Sequence, residues 1–158
     1  MKNMTKLLSD KEVIQKVLDQ ISDKTTDLGD ETWRESVDNY RSEKRFSTEL
    51  DLFQRLPIVF CPSAALAKSG SYVARDVGGV PLLAVRGKDG VVRTFHNSCR
   101  HRGMILAEGS GNASKFICRY HAWAYGLDGN LLNVSGNEGF PDLDKNSHGL
   151  IEVETQEK

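Results

Sequence analysis

Between residues 99 and 123 the chain reads Cys-Arg-His-Arg-Gly at one end and Cys-Arg-Tyr-His-Ala-Trp at the other. Each arm pairs a thiol with an imidazole, as C-x-H (Cys99, His101) and C-x-x-H (Cys118, His121), and sixteen residues separate His101 from Cys118. A single Cys or His is ordinarily a packed or surface residue, but four at this spacing read as a metal site. To bring them to one place the chain must fold two short loops against each other. Zinc sites usually open with a close pair of cysteines and end with a pair of histidines. Mixed arms suit a dinuclear iron cluster instead, in which two cysteines hold one iron, two histidines hold the other, and each loop gives one ligand to each metal. A zinc-stapled interaction module is the alternative that spacing alone leaves open.

The rest of the chain is compatible with one ordinary globular domain: 158 residues, 39% apolar and 27% charged, with a formal net charge of −1. That balance offers no basic face for nucleic acid or an anionic membrane. Apolar runs such as Pro81-Leu82-Leu83-Ala84-Val85 are too short to span a bilayer, and the N-terminus has no continuous apolar export segment, so a cytoplasmic protein is expected. Of the three cysteines, Cys61 is left over once Cys99 and Cys118 are ligands, and reads as a free, at least partly buried thiol. His96 and His148 have no Cys at ligand spacing and are not taken as ligands.

Local pattern predicts helices first and strands later. Ser9 and Glu12 form a capping-box signature ahead of Val13, Ile14, Val17, Leu18 and Ile21 at helical spacing. A polar break over residues 23–30 follows. Thr32 and Glu35 open a second helical pattern through Trp33, Val37 and Tyr40, and Leu50, Phe53 and Leu56 suggest a short third helix stopped by Pro57. From Ile58 the pattern turns to β: residues 58–60, 72–77, 82–85 and 91–95 read as strands of an antiparallel meander, punctuated by Gly78-Gly79 and Lys88-Asp89-Gly90. Residues 109–114 read as a polar turn between two ligand hairpins. The expected division is a helical segment over residues 1–56 and a β domain over 57–158.

These arms, with Cys99-Arg100-His101-Arg102-Gly103 in the first and Tyr120, His121 and Trp123 in the second, resemble the [2Fe–2S] motif of Rieske proteins, specifically that of ring-hydroxylating oxygenase α subunits. The likeness runs over roughly residues 40–155, including the passages Gly70-Ser71-Tyr72 and Ala124-Tyr125-Gly126-Leu127. It implies a Rieske-type antiparallel β-sandwich with two cluster-binding hairpins, preceded by N-terminal helices. It also implies one [2Fe–2S] cluster held by Cys99, Cys118, His101 and His121, with the histidines bound through Nδ1 and Nε2 turned outward. Arg102 and Gly103 match the oxygenase form of the first arm, Tyr120 and Tyr125 match family positions, and Trp123 would cover the cluster. Arg119 stands where the family often has Pro, and Ala122 where it often has Gly. Neither loop carries the extra cysteine that braces high-potential respiratory centres, which implies the lower-potential type.

The implied function is electron transfer, taking electrons from a reductase or ferredoxin and passing them to a mononuclear-iron catalytic domain or subunit, in an assembly that commonly contains several copies. That acceptor iron would need two further histidines and a carboxylate, which residues 122–158 do not supply. The expectation is therefore an electron-accepting portion that looks cut short and does not hydroxylate a substrate alone. A stand-alone Rieske ferredoxin-like carrier is the second reading.

Overall fold

The computed structural model describes residues 8–29 and 31–158. Asp30, the last residue of the expected polar break, lies outside the described residues. The chain forms two compact units, residues 1–42 and residues 43–158.

In the first unit, α1 (Asp10–Asp23) begins where the sequence signals it. Ser9 Oγ accepts from the Glu12 N–H at 3.4 Å, while Glu12 Oε2 accepts from the Ser9 N–H at 2.7 Å. Two N–H groups that the first turn cannot satisfy internally are thus paired. The apolar stripe Val13, Ile14, Val17, Leu18 and Ile21 is exposed. The second helical pattern shrinks to α2 (Asp38–Arg41). Upstream of it, side chains bond locally: Trp33 Nε1 donates to Glu35 Oε2 at 3.0 Å, and Ser36 Oγ accepts from the Asp38 N–H at 3.3 Å. Such bonds compete with a helical backbone.

The second unit starts with α3 (Glu43–Arg55), longer than its apolar spacing suggested and ending just before Pro57. Gln54 Nε2 donates to the Gly78 carbonyl at 3.1 Å, fastening the helix end to the first β-hairpin. Residues 58–60 are not a strand. They run between Pro57 and Pro62, Val59 is exposed, and Phe60 instead lies under the Arg75 guanidinium at 5.0 Å.

Eight strands follow: β1 (Ser71–Val77), β2 (Val80–Arg86), β3 (Val92–His96), β4 (Gly109–Asn112), β5 (Phe116–Ile117), β6 (Ala124–Tyr125), β7 (Leu131–Asn133) and β8 (Glu152–Val153). They make two antiparallel sheets, one ordered β4-β1-β2-β3-β8 and the other β5-β6-β7. The meander β1-β2-β3 matches the sequence pattern, and Gly78-Gly79 make its first turn, with Val77 opposite Val80.

The expected polar turn over residues 109–114 is instead mostly strand β4, paired with β1 so that Gly111 faces Tyr72. A Cβ at Gly111 would come within 3.0 Å of the Tyr72 hydroxyl, so the glycine lets the backbone pass beneath the ring. Between the sheets, Leu83, Val85, Phe95 and Tyr125 are fully buried, joined by Leu106, Phe116, Trp123, Leu127, Leu131 and Leu150. Cys99 and Cys118 border the same core. No helix among the described residues is long and apolar enough to cross a membrane.

Candidate metal centre

The two arms fold into loops with the same closure. In the first, the Cys99 N–H donates to the Met104 carbonyl at 2.8 Å and the Gly103 N–H to the Cys99 carbonyl at 2.8 Å. In the second, the Cys118 N–H donates to the Trp123 carbonyl at 2.8 Å and the Ala122 N–H to the Cys118 carbonyl at 2.9 Å. Each loop turns back through a left-handed residue, Gly103 at φ +72° and Ala122 at φ +54°. Glycine takes that conformation freely, whereas alanine holds it against its own Cβ.

The strands set the loops in place. The first loop leaves β3 through Asn97, which is buried and fully bonded. Its N–H donates to the Pro81 carbonyl at 2.8 Å, and its Oδ1 accepts from the Leu106 and Ala107 N–H groups at 3.0 and 3.2 Å. Its Nδ2 donates to the Ala107 carbonyl at 2.7 Å. The second loop is held between β5 and β6, which pair directly.

Both thiols are sunk in the core, each 2% exposed, while the histidines are only partly buried. The His101 and His121 rings lie side by side, with centroids 4.6 Å apart and planes at 67°. Among the described residues, the buried side-chain nitrogens or oxygens without a hydrogen-bond partner are His101 Nδ1, His121 Nδ1 and Trp123 Nε1. A buried polar atom left unpaired costs roughly 1–3 kcal/mol, so two adjacent imidazoles with idle Nδ1 atoms fit metal ligation better than a packing role. Burial pushes the His101 imidazole below its usual range, and the nearby His121 and Arg102 charges add to this; the neutral ring is the one that binds metal. Among the described residues, no three His, Cys, Asp or Glu side chains gather where one metal ion could sit.

Trp123 is 2% exposed and stacks on His101 with centroids 4.9 Å apart and planes within 10°. Phe140 closes edge-on against both rings at 5.6 Å. Tyr120 is exposed and lies over His121 at 3.7 Å. Arg102 is exposed and acts on the site through its charge on His101. His96 and Cys61 lie outside these loops. His148 stands 6.4 Å from Trp123 as part of the wall, its Nδ1 engaged 2.8 Å from the Asp144 carbonyl.

Two further residues build the centre. One is Asn97, at the root of the first loop. The other is Tyr125, fully buried, whose hydroxyl accepts from the Arg100 N–H at 3.0 Å and lies 3.3 Å from Cys99 Sγ. With its lone pair facing the Arg100 amide, the phenol proton is free to point at the sulfur. Burial, then the Cys99 hydrogen bond, push the Tyr125 phenol up, and it stays protonated. The sequence signal was a tyrosine in an apolar strand two residues after Trp123.

The profile of the Rieske [2Fe–2S] domain matches residues 57–144. The oxygenase subunit of carnitine monooxygenase from Escherichia coli K12 is 36% identical over 129 residues, which are 80% of this chain and 34% of that protein. Chlorobenzene dioxygenase subunit alpha from Cupriavidus sp. PS12 is 44% identical over 115 residues, covering 66% of this chain and 26% of the relative. Among solved structures, an apo quaternary ammonium Rieske monooxygenase superposes with a TM-score of 0.70 at 32% identity, over 79% of this chain and 37% of that one. Naphthalene 1,2-dioxygenase with indole bound gives 0.67 at 34% identity, over 74% and 27%. The chain thus spans about a third or less of the length of these relatives. With the twin loops, the idle imidazole nitrogens and the buried thiols in register with this match, the chain belongs to the Rieske [2Fe–2S] domain family, and its relatives are oxygenase subunits.

Proposed function

We propose that this chain carries single electrons through one Rieske [2Fe–2S] cluster, with Cys99 and Cys118 on one iron and His101 and His121 on the other, as the Rieske portion of a ring-hydroxylating oxygenase α subunit. The observation that carries the ligand assignment is the pair of idle Nδ1 atoms side by side, flanked by two buried thiols on loops of identical closure. When bound, the cluster supplies reversible one-electron chemistry at a potential raised by its neutral imidazole ligands.

The protein's own groups do the remaining work. The core keeps water from the thiols, and Tyr125 donates toward Cys99 sulfur, which favours added negative charge. Trp123 and Phe140 fix the His101 ring and seal one side of it. The partly exposed histidine edges are left as the route by which electrons enter and leave.

Under this reading the donor is a reductase or ferredoxin, and the acceptor is a mononuclear iron in a catalytic domain or subunit. A division of the chain at residue 57 is supported by the family match that begins there, with α1, α2 and α3 preceding it in sequence. Cytoplasmic residence is supported by Cys61, a thiol left unpaired once Cys99 and Cys118 hold iron.

The test is composition after substitution. Wild-type protein reconstituted with iron and sulfide is expected to hold two of each and to be red-brown, and Cys99→Ser or Cys118→Ser is expected to lose the cluster. Full retention of iron and sulfide in either variant, or a colourless wild-type protein that binds only zinc, would contradict the assignment.

A further inference from the structure

Three buried side-chain polar atoms among the described residues lack a hydrogen-bond partner, and ligation of iron accounts for two of them, His101 Nδ1 and His121 Nδ1. The third is Trp123 Nε1. An indole nitrogen only donates, and a donor left unpaired out of water is costly, which is why a buried tryptophan usually finds an acceptor. What meets this one is constrained from two sides. The nitrogen is shut off from solvent within the chain itself, so a second polypeptide resting on the surface does not reach it. A buried water needs several polar partners, whereas the side chains packed on this ring are aromatic, and the nearest titratable one outside the ligands, His148, has its Nδ1 engaged by the Asp144 carbonyl.

Trp123 is tied to both ligand pairs. Its carbonyl accepts from the Cys118 N–H at 2.8 Å, and its ring lies parallel to that of His101, with centroids 4.9 Å apart and planes within 10°. Phe140 and His148 meet the indole at steep angles, 82° and 71°, which leaves the stacking on His101 as the contact that sets its plane. In a Rieske cluster each inorganic sulfide bridges the cysteine-held iron to the histidine-held iron. Those sulfides are hydrogen-bond acceptors, and they come to the centre with the same group that occupies the two Nδ1 atoms.

We infer that the Trp123 Nε1–H donates to a bridging sulfide, so that this indole is a cofactor-binding donor that raises the cluster's potential and not only a cover over it. The inference rests on the cluster assignment above. A donor aimed at sulfide favours the reduced, more electron-rich cluster, as Tyr125 does at Cys99 sulfur, but Trp123 acts on an atom shared by both irons.

The experiment is pulsed EPR of the reduced, cluster-loaded protein carrying 15N only in the indole of tryptophan. Trp33, the other tryptophan, is exposed and donates its Nε1–H to Glu35 at 3.0 Å, and Trp33→Phe removes its signal. An isotropic 15N coupling that survives Trp33→Phe is expected, which a tryptophan serving only as packing does not give. The second readout is the midpoint potential after replacement of Trp123 by benzothienylalanine, which keeps the size of the ring and puts sulfur in place of its N–H. The equilibrium constant for reduction is expected to fall about five- to tenfold. Absence of any indole coupling from an otherwise intact reduced spectrum, or a potential that the isostere leaves unchanged or raises, would overturn the hydrogen bond and leave electron transfer through the cluster standing. A wild-type protein with no [2Fe–2S] spectrum would overturn the cluster assignment and this inference with it. The labelling needs no change at position 123, so it decides the question even where the isostere fails to fold or to hold a cluster.

Discussion

At the scale of the residue, the two ligand loops are a natural comparison, because equivalent left-handed positions carry Gly103 and Ala122. Alanine at φ +54° loses roughly 1 kcal/mol relative to glycine. Ala122→Gly is therefore expected to stabilise the folded protein by about 1 kcal/mol, and Gly103→Ala to destabilise it by about as much. A Cβ at Gly103 would find Ser98 Oγ at an ordinary 3.7 Å, so the cost there is backbone strain and not a clash. Urea denaturation of the cluster-loaded variants measures both. A second test concerns Tyr125. Removing its hydroxyl in Tyr125→Phe deletes a donor to Cys99 sulfur that favours the reduced, more negative state, so the midpoint potential is expected to fall, by ~40 mV for about 1 kcal/mol of lost hydrogen-bond energy. Protein-film voltammetry reads the shift, and an unchanged or raised potential would show that the phenol proton does not point at the sulfur.

At the scale of the element, the β-meander was legible because each strand has its own period and its own turn residues. The elements that were missed depend on neighbours distant in sequence. β4 looked like a loop because Gly109, Ser110, Gly111 and Asn112 have poor strand propensity; it is a strand because Tyr72 covers Gly111 and β1 supplies the hydrogen bonds. Residues 58–60 looked like a strand by composition, but prolines on both sides, Pro57 and Pro62, leave them irregular.

The β2–β3 turn carries a pH prediction. Hydrogen bonds from the Arg93 guanidinium, and from the Val91 N–H, hold the Asp89 carboxyl well below its ordinary 3.8, at about 2. Stability contributed by ionised Asp89 is thus fully present above its ordinary value and is lost as pH falls through about 2. Asp89→Asn is expected to flatten the stability profile between about pH 4 and about pH 2, as followed by acid titration of the circular dichroism signal; an unchanged slope would count against it. Asn97→Ala removes the side chain that satisfies two amides and a carbonyl at the root of the first loop, and is expected to cost ~2–4 kcal/mol and to weaken cluster retention.

At the scale of the whole molecule, the cofactor was legible because metal ligands must be specific residue types at specific spacings, and Cys99, His101, Cys118 and His121 satisfy that in sequence alone. What surrounds them was less so. Tyr125 and Asn97 act through one hydroxyl and one amide whose partners are set by the packing of two sheets, and sequence spacing does not encode such contacts. The relatives include a carnitine monooxygenase subunit and a chlorobenzene dioxygenase subunit, and the chain spans about a third or less of their length.

The central claim is that two imidazole nitrogens, one from each loop, bind the same iron. Pulsed EPR of the reduced, cluster-loaded protein labelled with 15N at histidine tests it directly. Two distinct strongly coupled nitrogens are expected, with His101→Cys and His121→Cys each removing one of them. A spectrum with no strong nitrogen coupling, or one that both substitutions leave intact, would contradict the account.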